Sequence, residues 1–352
     1  MAISVTPHVL SVILPTRNRA LLLAQALESL TRQTLAADRF EVVIVDDGST
    51  DDTPDVCRAF ASRLPLRCLR LKAAGIAAAK NLAVTTARGS IVLFFDDDDL
   101  ADAQLCASHV AAHQERPAFN LAVLGHTDWA PGLEVTPVMD YAINVGHFLF
   151  AYTPLEHQQM LDFSYFWGGR SSCKRVLLVR HGLFNQMFTF GCEDIELGYR
   201  LKRHGLQVVY DTRARQFMNR AVTFDELCRR CERQGMSQWH FSRLHPDRAI
   251  QEYCEVIDAA GRWPAMLERL PSSIARVHEL ESIIGDVSRG RRPASRELYD
   301  LYGDVFRAFK TKGIVQALTG TAITVPVTIA VKPAARAVVA RRRAAVYAAA
   351  GR

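Results

Sequence analysis

The sequence predicts an α/β protein, a mostly parallel sheet covered by helices on both faces. Three observations carry that prediction. Short apolar, β-branched runs at residues 9–14, 40–45 and 91–95 alternate with helix-period segments at the spacing of βαβ units. Each run stops at a polar cluster, at 15–18, 46–49 and 96–99, and such sheets bind their ligands at the carboxyl ends of the strands. The composition, 49% hydrophobic and 23% charged over 352 residues, excludes collagen-like, disordered and low-complexity chains.

Element by element, Leu23, Leu27 and Leu30 share one face of a helix over 21–30. Thr53 reads as an N-cap with Pro54 in the first helical position. A strand at 66–71, a helix at 76–88 and the strand at 91–95 follow. Residues 120–180 are less regular and richer in aromatics and glycine, with a capping pattern at 153–156 for a short helix. A helix over 191–205, ended by Gly205, precedes a strand at 206–210. Thr223-Phe224-Asp225-Glu226 is a second capping box, and it opens a helical stretch to about residue 310 with breaks at Pro246, Pro264 and Pro271. The expected organisation is a sheet domain over 1–220, a helical extension over 221–310 and a basic amphipathic tail over 311–352.

Eight scattered cysteines with no signal peptide before them read as reduced thiols of a cytoplasmic protein. Cys228 and Cys231 form one C-x-x-C inside a predicted helix, a packing pair rather than a zinc site. Charge is uneven. Arg307, Lys310, Lys312, Lys332, Arg336, Arg341, Arg342, Arg343 and Arg352 stand after Asp304 with no acidic residue among them, so residues 1–304 carry −3 of the chain's net +6. An acidic body without interleaved basic and aromatic residues argues against nucleic acid. Residues 313–331 are uncharged but too rich in Thr, Gly, Gln and Pro for a bilayer span. The alanine-rich segment at 334–350, with Arg341-Arg342-Arg343, reads as a helix lying on an anionic membrane surface.

Asp96-Asp97-Asp98-Asp99 is the densest chemical signal. Four adjacent carboxylates raise one another's proton affinity, and a hard divalent cation would compensate them. Asp96 and Asp98 point to the same side of an extended chain, as oxygen ligands for Mg2+ or Mn2+ shared with substrate phosphates.

The run belongs to an ordered set: residues 11–18 (SVILPTRN), 41–53 (EVVIVDDGSTDDT), 78–81 (AAKN), 89–99 (GSIVLFFDDDD) and 191–201 (GCEDIELGYRL). The set closely resembles the family 2 glycosyltransferases of the GT-A fold, over roughly residues 9–240. The resemblance implies a metal-dependent, inverting enzyme that moves a sugar from a nucleotide diphosphate donor, a UDP-sugar foremost, to an acceptor hydroxyl. It implies work in cell-surface glycan or polysaccharide biosynthesis on a glycan or lipid-linked acceptor, peripheral to the inner face of a membrane. Carried over by residue, it places Pro15, Thr16 and Asn18 in the nucleotide pocket and Asp47 on the base. Lys80 stands near the nucleotide, where the family commonly has Arg. Asp97 falls near the ribose or donor sugar, and Asp98, beside Asp96, is the metal ligand. Trp167, Gly168, Gly169 and Arg170, running into Ser171 and Ser172, match the donor-sugar and acceptor segment. Glu193-Asp194 matches the acidic pair, with Asp194 the general base, and a helix start favours its ionised form.

Two departures stand out. No His lies between His204 and His240 to complete the metal set; Met218 or Asn219 occupies that neighbourhood. The Gln-x-x-Arg-Trp motif of processive synthases is absent, which points to single or short additions. Two alternatives stay open at this stage: a nucleotidyltransferase, which would not need Asp194, and a sugar-nucleotide-binding or scaffold protein without catalysis.

Overall fold

The apolar runs pack side by side because their alternate residues face two different helical layers. The computed structural model describes residues 8–153, 155–286 and 295–325. Its first half comprises β1 (Leu10–Thr16), α1 (Ala20–Leu30), β2 (Phe40–Asp46), α2 (Thr53–Phe60), β3 (Leu66–Arg70), α3 (Ile76–Thr86) and β4 (Ile91–Phe94). β5 (Asp99–Ala101), α4 (Leu105–Glu115), β6 (Leu121–Trp129), the one-turn α5 (Pro137–Asp140), β7 (Met160–Leu161) and β8 (Ser171–Lys174) follow. Then come α6 (Arg175–His181), α7 (Glu193–Lys202) and β9 (Gln207–Met218). The helices α8 (Phe224–Leu244), α9 (Arg248–Tyr253), α10 (Ala259–Asp286) and α11 (Arg296–Thr319) complete the described chain.

The strands form one sheet in the order β3-β2-β1-β4-β8-β6-β9-β5, with β7 also on β9. β1 runs parallel to β2 and β4, β2 to β3, and β6 to β9. β8 is antiparallel between β4 and β6, and β5 and β7 are antiparallel to β9. Period-two alternation sorts the side chains. Val12, Leu14, Val42, Ile44 and Leu93 meet Leu23, Leu27 and Leu30 of α1, Phe60 of α2 and Leu105 of α4. Ile13, Val43, Val45, Val92 and Phe94 face the opposite layer, which holds Ala83 of α3, Leu177 of α6, Leu197 of α7, Leu227 of α8, Ile274 of α10 and Phe306 of α11. The C-terminal helices thus share a core with the sheet.

Several sequence expectations are corrected. Thr53 is the first residue inside α2, and its hydroxyl donates to Asp51 Oδ1 (2.6 Å). Residues 99–101 form strand β5, paired with β9. Residues 155–159 form no helix, and Pro154 lies outside the described residues. The strand expected at 206–210 continues to Met218. The chain does break around Pro246, but α10 runs through Pro264 and Pro271. Each proline forfeits a helical N–H, and burial of Trp263, Leu270, Ile274 and Val277 along α10 holds the helix together. The Thr223–Glu226 capping box is formed in both directions at the start of α8. All eight cysteines are free thiols, with Cys228 and Cys231 buried in α8.

The boundary expected at 310–311 falls inside α11. Tyr302, Phe306 and Phe309 are fully buried, and at ~1.5–3 kcal/mol for each large apolar side chain this helix is held by several kcal/mol. Three cations counted into the tail are also partnered: Arg307 with Asp304, Lys310 with Glu255 and Lys312 with Glu232. Lys332, Arg336, Arg341, Arg342, Arg343 and Arg352, and with them the proposed membrane-surface helix, lie outside the described residues. Among the described residues no helix is long and apolar enough to cross a membrane.

Candidate functional site

The carboxyl ends of β1, β2 and β4 open into a cavity of about 700 Å³. Pro15 and Thr16, Asp47, and Asp96 to Asp98 line it from those strand ends, as ligand placement in open α/β sheets leads one to expect. Trp167 to Arg170 and Glu193-Asp194 line the other side, and α8 closes a wall.

Arginine compensates the aspartate run. Arg19 Nη1 donates to Asp97 Oδ1 (2.7 Å) and Asp98 Oδ2 (3.1 Å), and Arg220 Nε donates to the same Asp98 oxygen (2.9 Å). Arg170, buried against the Phe150 ring, reaches Asp96 Oδ2 (2.7 Å) and Asp99 Oδ2 (3.2 Å). Burial works to raise the Asp98 carboxyl, but Arg19 and Arg220 hold it below the ordinary range. At Asp97 burial wins over Arg19 and pushes the carboxyl up to about 6, with Thr16 Oγ1 donating to it at 2.7 Å. The argument that such a run demands a metal is therefore corrected: three guanidinium groups supply most of the counter-charge.

The donor set tests the implied cation. Among the described residues no three His, Cys, Asp or Glu side chains converge as a metal cage. Asn219, where a histidine would complete the set, turns its amide to Gln25 Oε1 (2.8 Å). Asp96 and Asp98 still face the cavity as hard oxygen donors. One or two carboxylates with substrate phosphates and water suffice for Mg2+ or a similar cation. These residues fit a cation shared with a ligand.

The acidic pair owes its position to a strained turn. Gly191 and Cys192 both adopt positive φ (68° and 64°), and α7 starts immediately after them. For Cys192 that conformation is costly, and strain of this kind collects at functional sites. Asp194 Oδ2 accepts from Gly168 N (2.7 Å) and Oδ1 from Ile195 N (2.8 Å). Glu193 is buried and paired with Lys80 Nζ (3.0 Å). Burial and the Glu193 charge push Asp194 up to about 6, against Lys80 and the two backbone N–H groups. The helix start does not hold it in the ordinary range, yet a carboxyl near 6 is still ionised at neutral pH and basic enough to accept a proton.

Other site residues differ from the sequence reading in detail. Asn18 does not line the cavity; its φ is positive (53°) and its Oδ1 accepts from Thr50 N (2.7 Å), tying two loops. Both Asp47 oxygens accept backbone N–H groups, of Ala74 (2.6 Å) and Gly75 (2.9 Å). Lys80 faces the acidic pair, and the charges of Glu193, Asp194 and Asp96 outweigh its burial to keep it cationic. The two glycines admit protein groups. A Cβ on Gly168 would stand 2.7 Å from Lys80 Nζ and 3.0 Å from Asp194 Cβ, and one on Gly169 would fall on the Asp96 carboxylate. Trp167 lines the cavity with its indole N–H on Ser164 O (2.8 Å). Ser171 and Ser172 are buried in β8, where Ser172 meets His109 and His113. Sequence reasoning missed Arg19, Arg220, Arg230 and Arg233. Arg19 and Arg220 each follow a residue it weighed, Asn18 and Asn219, but both lie far from the acidic run in sequence, so no local signal marked them.

Residues 11–177 match the family model described as glycosyl transferase family 2. Validoxylamine A glucosyltransferase of Streptomyces hygroscopicus subsp. jinggangensis is 37% identical over 226 residues, covering 57% of this chain and 53% of that one. The uncharacterized glycosyltransferase YfnE of Bacillus subtilis is 31% identical over 241 residues, 56% of this chain and 61% of that one. The chain spans about half the length of the first of these relatives. Among solved structures, the mannosyltransferase PcManGT of Pyrobaculum calidifontis, in complex with GDP-Man and Mn2+, superposes with a TM-score of 0.57 at 22% identity, over 90% of each chain. That likeness shows a shared GT-A fold.

Proposed function

We propose that this chain, whose residues 11–177 belong to glycosyl transferase family 2, transfers a glycosyl group from a nucleoside diphosphate sugar to an acceptor hydroxyl with inversion. One observation carries the reading: a half-buried carboxylate, Asp194, opens on the same cavity as the Asp96–Asp98 strand end. The acceptor oxygen forms a bond to the anomeric carbon as the bond from that carbon to the diphosphate oxygen breaks. Asp194 takes the hydroxyl proton, and the diphosphate leaves with the bonding electron pair. Asp98, with Asp96, would hold a divalent cation that, when bound, stabilises the departing diphosphate as a Lewis acid. Arg19 and Arg220 hold Asp98 ionised, and Lys80 holds Glu193 beside the base. A glycan or lipid-linked acceptor at an anionic membrane face is part of the proposal, supported by the cations in the sequence after residue 330.

Incubation with UDP-, GDP- and dTDP-sugars and Mn2+ is expected to release the nucleoside diphosphate from one of them. Release of pyrophosphate from a nucleoside triphosphate and a sugar 1-phosphate, with none of these donors turned over, would assign a nucleotidyltransferase instead. Calorimetry with that donor is expected to show tighter binding with Mn2+ than with EDTA, and Asp98→Asn should abolish the difference. Equal wild-type affinity in the two buffers would remove the cation from the proposal.

The pH dependence follows from Asp194. Its proton comes off near 6, so the competent fraction is small below that value and nearly complete by about pH 7. Transfer at low donor concentration is expected to fall about tenfold per pH unit below 6. A rate independent of pH between about 5 and 7 would rule out a base with this titration.

A further inference from the structure

α8 lies outside residues 11–177, yet one of its faces walls the cavity. Arg230, Arg233, Gln234 and Gln238 line it, at the three- and four-residue spacing that places side chains on one side of a helix. The guanidinium groups of Arg230 and Arg233 stand 5.3 and 3.7 Å from the centre of the Phe190 ring. Ser237 on the same face donates to the Phe190 carbonyl, so the turn before Glu193 is fastened to α8.

These two arginines differ from their neighbours in charge balance. Arg19, Lys80, Arg170 and Arg220 each have a carboxylate partner in the cavity. Among the described residues no carboxylate forms an ion pair with Arg230 or Arg233. Arg230 and Arg233 share this cavity with Asp96, Arg170 and Arg220. Both are solvent-exposed at the cavity wall near the start of α7, and among the described residues their cationic donors meet no carboxylate.

We infer that Arg230 and Arg233 are a phosphate-binding pair, filled by the oxyanions of a substrate in the cavity. Guanidinium presents planar, paired N–H donors that match phosphate oxygens. Both guanidinium groups lie over the Phe190 ring, a contact that restricts their freedom before an anion binds. Sharing one cavity with the Asp96–Asp98 strand end favours the donor's diphosphate over a phosphate carried by the acceptor. The inference rests on the transferase reading for the identity of the substrate, though not for the chemistry of the pair.

The test is calorimetry on the full chain with UDP, GDP, dTDP, their nucleosides and inorganic phosphate. The double variant Arg230→Gln/Arg233→Gln is expected to bind the preferred nucleoside diphosphate ~10–100-fold more weakly, the worth of one or two charged hydrogen bonds. Its affinity for the nucleoside should be unchanged. Phe190→Leu, which keeps both charges and removes the ring, should lose much less; an equal loss would mean that the turn had collapsed, and would overturn the inference. Phosphate heat on nucleotide-saturated wild type that vanishes in the double variant assigns the pair to a phosphate on the acceptor. Unchanged affinity of the double variant for nucleoside diphosphate and for phosphate overturns the inference outright. Should the wild type bind none of UDP, GDP and dTDP, the transferase reading falls and phosphate alone decides: heat lost in the variant supports the pair, no heat with wild type overturns it.

Discussion

Exchanging Asp194 for Asn is expected to leave donor affinity near the wild-type value and to cut transfer by ~10²–10⁴-fold, the usual contribution of a positioned general base. Asn keeps the volume, and its carbonyl oxygen can still accept one of the backbone N–H groups, of Gly168 or Ile195, that orient the carboxylate. It cannot take a proton. The loss should fall on turnover, since the interaction removed is made as the acceptor oxygen attacks. Glu193→Gln is the informative companion. The Glu193 charge raises Asp194, so removing it should lower the Asp194 value and move the acid limb of the pH profile to lower pH, with most of the rate retained. The reverse pattern, an active Asp194→Asn and a dead Glu193→Gln, would transfer the role of base to Glu193.

The part of this protein that could be read from the sequence is the part built from period and order. Alternation in the first strands sorts Ile13 from Val12 and Leu14 into two layers, and the polar residues that end those strands line the cavity. What could not be read depends on approach between distant segments. Arg170, Arg19 and Arg220 reach the aspartates from three different places in the chain, and no local pattern announces that convergence. Arg220, beside Asn219, supplies counter-charge to Asp98 where a metal-binding histidine is the pattern's expectation. The wall formed by α8 was invisible for a related reason. Its cavity face carries Arg and Gln, which in an isolated helix read as a solvated face. The end of α11 was misread because its buried side from Gly313 onward is uncharged, which resembles the start of a different kind of segment.

In α11 and its neighbour α8, Gly313→Ala and Gly235→Ala are each expected to destabilise the protein by about 3 kcal/mol. α8 and α11 meet backbone to backbone. A Cβ on Gly235 would stand 2.9 Å from the carbonyl carbon of Lys310, and one on Gly313 would stand 2.8 Å from that of Glu232, closer still to the oxygens. A clash with main chain cannot be relieved by a rotamer, so the helices must separate. Separation strips contacts from Phe306 and Phe309 of α11 and from Cys228 and Cys231 of α8, all buried. The gain in helix propensity from Gly to Ala, ~1 kcal/mol, recovers only part of the loss. Thermal unfolding is the measurement, with a fall of about 5 °C or more expected for either variant. Leu318→Ala, at an exposed position of α11, should move the midpoint little. Because α8 also carries Arg230 and Arg233 on the cavity wall, both glycine variants should weaken nucleoside diphosphate binding below their melting temperature, while nucleoside binding at the strand ends persists. Melting midpoints within a degree of the wild type would mean that the two helices can shift apart at little cost, and that their close approach is not what holds the wall in place.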